Sequence, residues 1–193
     1  MSREPLWDLA GRTLCLGYEV SNTIEGLLRL QNAADHQRPI TLYIVGTPSV
    51  TPPLPTDILM LCSLIRSLRS PTVTIGMGVL NSALALILAA GTHRRYLLRH
   101  SLISLAPQKW DMAGLARAPI GLGISRHQRT PQEALEAQAH ALLAELKLDA
   151  SLFQSERLLT AEEAVQNQLA DAVVAHTLPQ VIPIPSLLHE TKR

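Results

Sequence analysis

The sequence predicts an α/β fold in which layers of helix and strand pack around one core. Three observations carry the prediction. Short apolar runs rich in β-branched residues alternate with segments of helical period, giving strand, helix, strand, helix, strand, helix along the first half of the chain. The connections between these elements are short. A length of 193 residues with 47% apolar content is enough for one domain whose core needs no disulfide or metal to hold it.

The elements follow in order. Residues 12–17 (RTLCLG) read as a short strand, and residues 22–34 as an amphipathic helix with Ile24, Leu27, Leu28 and Leu30 on its apolar side. Residues 39–45 (PITLYIV) read as a buried strand. Residues 46–57 hold four prolines in twelve positions and form a loop, because proline lacks the N–H that a ladder or a helix uses. Thr56 or Asp57 then caps a helix running to about Leu68. Residues 72–76 are a third strand, and Ser82 opens a helix that runs to Ala90, with Gly91 at the C′ position that favours glycine. Strands at 96–98 and 102–106 follow. From 107 to 129 glycine, proline and isolated charges replace any periodicity. Residues 131–148 form a long helix with Thr130 as N-cap, Pro131 at N1 and Glu133 at N3. The capping box TAEEA starts a short helix near Thr160, ahead of a last strand at 172–175. Residues 1–178 therefore read as a single domain, and 179–193, with Pro179, Pro183 and Pro185, as a loosely attached tail.

Composition narrows the function. Seventeen Lys and Arg against sixteen Asp and Glu give a net charge of +1, and no basic stripe interleaved with aromatics is present, which argues against a nucleic-acid surface. Such a charge suits a subunit that associates, and 17% charged residues leave apolar surface over for partners. Cys15 and Cys62 lie 47 residues apart without a CxxC or Cys/His pairing, so they read as reduced core residues rather than as a zinc site or a secreted framework. No metal spacing such as HxxxH links His36, His127, His140, His176 and His189. The first eleven residues lack the continuous apolar region of a secretory signal, and the expected location is the cytoplasm. The charge-free stretch 72–92 is long enough to span a bilayer, but Gly76, Gly78, Asn81 and Ser82 interrupt it. A strand running into a buried helix accounts for it better, so no membrane association is expected.

One region has the pattern of reactive chemistry. In GMGVLNSALALILAAGT a strand and a glycine-containing turn precede Ser82 at a helix N-terminus, where free N–H groups and the macrodipole favour negative charge. Asn81 and Ser82 are equally what capping demands. Taken alone, the segment supports either a nucleophile or a cap.

The same residues resemble the proteolytic subunit family of the Clp protease, ClpP. Met77 to Gly91 aligns without a gap to the family stretch M-G-x-A-A-S-M-G-A-x-L-L-x-A-G, which puts Ser82 on the nucleophile position. RTLCLG matches the family's first strand, RPITLYI its E-K-x-I-Y-L-Y-I strand, and LLTAEEAVQNQLADAVV its F-x-S-A-E-E-A-x-x-Y-G-L-I-D-x-V. The resemblance covers about residues 9–106 and 150–175 and implies the ClpP/crotonase-like fold of repeated β-β-α units, a head domain and a protruding handle helix.

The departures concern the catalytic parts. Where the family reads N-S-R-V-M-I-H-Q-P, this chain reads HSLISLAP, which puts Ala106 on the position of the general base. The family's orienting aspartate falls on Glu156. The oxyanion glycines of N-S-P-G-G fall near Pro48 and Ser49, and the second oxyanion donor position is Ala83. Pro48 has no N–H to donate. A serine is a poor nucleophile until a base takes its proton. Loss of the base from a triad costs on the order of a millionfold in turnover, and a damaged oxyanion hole roughly 100- to 1,000-fold more. His93 and His100, between the serine helix and the next strand, are the candidates for a substitute base.

The resemblance also implies an assembly. Family members stack two seven-membered rings, with a handle helix at the ring-to-ring contact and an N-terminal segment lining the pore. Residues 107–148 are the candidate handle region, and on its helix, 131–148, Leu135, Leu142, Leu146 and the alanines are expected to leave a broad apolar surface. Only about eleven residues precede the first strand, so a shortened pore segment is expected. The leading reading is a non-catalytic ClpR-type subunit with no cofactor of its own. Its expected partners are active ClpP paralogues in a mixed heptameric or tetradecameric ring and an AAA+ unfoldase, in the cytoplasm or, for an organellar chain, the plastid stroma. Two alternatives stand beside it. One is a divergent serine endopeptidase using Ser82 with His100 or a neighbour's histidine, and the other a homo-oligomeric scaffold that binds a peptide or acyl ligand without turnover.

Overall fold

The computed structural model describes residues 7–8, 10–16, 20–32, 36–46, 55–107 and 131–175. In chain order the elements are β1 (Trp7–Asp8), β2 (Thr13–Cys15), α1 (Val20–Asn32), β3 (Ile40–Gly46), α2 (Pro55–Ser67), β4 (Thr72–Asn81), α3 (Ser82–Ala89), β5 (Arg94–Leu98), β6 (Leu102–Leu105), α4 (Pro131–Glu145), a 3-10 turn (Ala150–Phe153), β7 (Arg157–Thr160), α5 (Ala161–Gln166) and β8 (Ala172–Val174). The larger sheet runs β1-β2-β3-β4-β5-β8, parallel throughout apart from the antiparallel β1. A smaller sheet joins the C-terminal half of β4 to β6, parallel, and β6 to β7, antiparallel.

The alternation of β3 sets the layers. Ile40, Leu42 and Ile44 are fully buried together with Leu27 and Leu30 of α1, Ile58, Leu61 and Ile65 of α2, and the whole of α3. The intervening positions face the other way, where Tyr43 packs with Val73 and Ile75, flanked by Cys15, Met77 and Tyr96. Cys62 belongs to the main core, and burial pushes its thiol up to about 12. Cys15 is only half-buried and lies on the second face rather than in the main core.

The predicted strand at 72–76 does not stop at its glycines. It continues to Asn81 by changing partner, pairing with β5 from Val73 to Gly76 and with β6 from Val79 to Asn81. The change takes place at Gly78, whose φ of 79° is left-handed and whose added Cβ would lie 2.3 Å from the carbonyl oxygen of Gly46, its register partner on β3. The stretch 72–92 is thus β4 followed by α3, and among the described residues no helix is long and apolar enough to cross a membrane.

Three further expectations are corrected. The second helix begins at Pro55, so Thr56 and Asp57 sit in its first turn instead of capping it. Gly91 follows the C-cap Ala90 but is not left-handed; what excludes a side chain there is space, since a Cβ would lie 2.6 Å from Thr74 Oγ1. On α4 the leucines are not an exposed face. Leu135, Leu142 and Leu146 are 5 to 7% exposed in the main core, and Arg66 of α2 reaches Glu145 at 2.9 Å, while Ala134, Ala141 and Ala144 face out. The cap assigned to Thr130 lies outside the described residues, as does the 107–129 stretch beyond Pro107.

Two helices end alike. Leu148 N–H donates to Leu143 and Lys147 N–H to Ala144 after α4, and Leu169 N–H donates to Ala164 and Gln168 N–H to Val165 after α5. This is the Schellman pattern, whose left-handed residue is usually glycine. Here it is Lys147 (φ 57°) and Gln168 (φ 63°), the latter on the glycine of the motif Y-G-L-I-D.

Candidate functional site

The serine reaches its place through the β4–α3 junction. Asn81 ends β4 in extended geometry and caps α3, its side-chain oxygen accepting from Leu84 N–H at 3.0 Å. The cap is therefore Asn81, not Ser82, which becomes the first residue of the helix and is free to point elsewhere. It points to the end of β6. The Ser82 hydroxyl donates to the carbonyl oxygen of Ala106 at 3.0 Å and accepts from the N–H of Ala106 at 2.9 Å. Ser82 is 1% exposed.

The other positions converge on the same corner. β4 and β6 run parallel with Asn81 opposite Ser104, so the chain beyond β6 passes the start of α3. β7 pairs antiparallel with β6 up to Leu105 opposite Arg157, which leaves Glu156 and Ala106 as the next residues out on the two strands. Glu156 is exposed, and Arg157 is beside it. Ala83, fully buried, holds the second position of α3, among the early N–H groups that have no partner within the helix. Pro48 and Ser49 lie outside the described residues.

Neither of the two histidines between α3 and β6 sits at the serine. His93 N–H donates to Thr72 at the start of β4, and the length of that strand, up to about 30 Å at ~3.3 Å per residue, lies between Thr72 and Ser82. His100 precedes β6 on the side away from Ala106, and Leu102 to Ala106 alone spans about 13 Å. Sequence order places them near the serine, but the parallel pairing of β5 puts His93 at the far end of β4, and His100, next to Ser101 whose hydroxyl donates to the Gly76 carbonyl, at its middle. His140 on α4 lines a cavity of about 310 Å³ with Leu59, Leu86, Pro107 and Phe153.

The chemistry follows from the two hydrogen bonds. The serine proton is directed at an amide carbonyl, which does not accept it as a base, and the oxygen is occupied by an amide N–H. In this arrangement the hydroxyl bridges the main chain of the residue that stands on the base position. No side-chain motif signals it, because both partner groups belong to the backbone.

The turn after α5 is fixed by an ion pair that the motif match contained without revealing. Arg95 donates through Nε and a terminal nitrogen to Asp171 and through its other terminal nitrogen to the carbonyl of Gln168, while the Asp171 carboxylate also accepts from Arg95 N–H. Burial alone would raise the Asp171 pKa, but its hydrogen bonds with Arg95 and the charges of Arg95 and Arg94 outweigh this and hold it below the ordinary value. This clamp joins β5 to the α5–β8 turn.

Comparisons with known proteins agree with this architecture. The family model described as Clp protease matches residues 11–177. The chain is 28% identical over 175 residues to the ATP-dependent Clp protease proteolytic subunit 2 of Thermobifida fusca, a match covering 82% of this chain and 76% of that one. A solved structure of a peptidase from Plasmodium falciparum superposes with a TM-score of 0.66 at 16% identity, covering 86% of this chain and 97% of the other. A second, described only as an enzyme, superposes with a TM-score of 0.64 at 16% identity, covering 86% and 96%. At that identity the two structures speak for the fold.

Proposed function

The chain belongs to the Clp protease family, and on that basis we propose that it serves as a non-catalytic, ClpR-type subunit that assembles with active ClpP paralogues in a ring fed by an AAA+ unfoldase. One observation carries the reading: the serine on the nucleophile position is bonded on both sides to the main chain of Ala106, which stands where the family motif has its base. The exposed Glu156 in place of aspartate, and Pro48 without an N–H among the oxyanion positions, support it. The subunit's part is to shape the chamber, dilute its active sites and alter where the unfoldase docks.

A serine-directed fluorophosphonate probe tests the reading on the purified chain and on the complex recovered from its native host. The purified chain should stay unlabelled, and a ClpP paralogue should co-purify at fixed stoichiometry and carry the label itself. Rapid labelling at Ser82, in either preparation, overturns the non-catalytic reading and leaves a serine peptidase that takes its base from elsewhere. Recovery of the chain alone overturns the mixed ring.

A further inference from the structure

A second cavity, remote from Ser82, lies at the other edge of the fold, where α3 and α4 end and β5 begins. It has a volume of about 270 Å³, and Arg66, Arg95, Lys147, His93, Glu145 and Asp171 contribute to its wall. Cations near helix ends commonly compensate the last carbonyls. Here most of those carbonyls already have partners. At the end of α3, Leu86 accepts from Ala90 N–H at 3.0 Å and Leu88 from Gly91 N–H at 3.3 Å and the Thr74 hydroxyl at 2.7 Å. At the end of α4, Leu142, Leu143 and Ala144 accept from Leu146, Leu148 and Lys147 at 2.9 to 3.1 Å.

The two arginines differ in what they have left to give. Arg95 is committed through Nε and both terminal nitrogens to Asp171 and the Gln168 carbonyl. Arg66 uses Nε for Glu145, and among the described residues its two terminal nitrogens and the Lys147 ammonium have no acceptor. Three permanent cations face two carboxylates, each of which already accepts from an arginine, so the wall carries an excess positive charge with His93 beside it. Lys147 also occupies a left-handed position that glycine would fill without strain. The chain thus accepts a backbone cost at the position that brings this ammonium to the cavity.

We propose that this cavity binds a phosphate group, held by the terminal nitrogens of Arg66 and by the Lys147 ammonium, with His93 as a further donor. Arginine and lysine are the side chains that recognise phosphate, the first through its planar fork and the second as a point charge. The site does not involve Ser82, and it does not depend on the chain being catalytic or not.

The test is thermal unfolding and calorimetric titration of the full chain with inorganic phosphate and, in a second arm, glycerol phosphate, each against sodium chloride of equal ionic strength. The wild type should be stabilised beyond chloride by at least one of the two, and which one separates free phosphate from a phosphate ester. Lys147→Gly should weaken the binding about tenfold, the loss expected of one charge-assisted hydrogen bond. The same variant should raise the unfolding midpoint in chloride, so a lost response cannot be assigned to a damaged fold. Arg66→Gln should weaken the binding to a similar degree. No stabilisation beyond chloride in either arm, or an equal response in the wild type and both variants, would overturn the proposal.

Discussion

Replacing Ser82 by alanine distinguishes a serine kept for structure from one kept for attack. A nucleophile in a working site is commonly dispensable to stability. Ser82 instead spans the start of α3 and the end of β6 with two hydrogen bonds to one residue, 3.0 Å to the Ala106 carbonyl and 2.9 Å from its N–H. Each is worth about 1 kcal/mol net, and their loss leaves a main-chain donor and an acceptor without partners beside a residue that is 1% exposed. Ala106 is only half-buried, so water reaches part of the deficit and the sum stays near about 2 kcal/mol. For a domain of this size that is a fall of about 4–8 °C in the unfolding midpoint, at about 2–4 °C per kcal/mol. Thermal unfolding of wild type and Ser82→Ala by circular dichroism, at matched protein concentration, reads it directly. An unchanged or raised midpoint would refute the reasoning, because it would mean that the hydroxyl contributes nothing to the hold between the two elements.

Two further outcomes follow from the backbone and from the clamp. Gln168→Gly should stabilise the chain by about 0.5–1 kcal/mol, the relief of a left-handed residue less the entropy of the added glycine, whereas Gln168→Ala should not; urea unfolding of both variants checks this. Asp171 has a folded pKa below its ordinary value of 3.8, so its contribution is in full force above that value and is lost as pH falls through the lower, folded one. Asp171→Asn should therefore lower stability at neutral pH and flatten the acid limb below about pH 4, as measured by unfolding midpoints across pH in both proteins.

The sequence carried six of the eight strands, because period and proline placement are local signals, but not β1 or β7, which only their pairing partners define. The strand at 39–45 and the capping box at Thr160 are examples, and the latter is present with Thr160 accepting from Glu163 N–H and Glu163 accepting from Thr160 N–H. What pattern cannot give is the partner of a face. The leucines of α4 read as an apolar stripe, and only the placement of α2 decides that they are covered. Likewise the glycines of β4 read as a turn, because nothing local shows that Gly46 will lie against Gly78. At the site, the resemblance put Ser82, Ala106 and Glu156 in one place, and the ladder pairing brings them to one corner. The bridge from Ser82 to the Ala106 main chain was not legible, nor was the distance of His93 and His100, since sequence neighbourhood and spatial neighbourhood part company across a parallel crossover.

β4 belongs to both sheets, with its first seven residues in the large one and its last three in the small one. Without β4 the small sheet is only the β6–β7 pair, and two strands are marginal by themselves, so it draws its persistence from the strand it shares. Neither sheet can open without pulling on the other, so the strand acts as a common spine and couples the two halves into one cooperative unit. Ser82 is the residue directly after that spine. Local fraying, the usual route by which a buried hydroxyl meets solvent, is thereby closed to it, and its exposure is tied to events close to global unfolding.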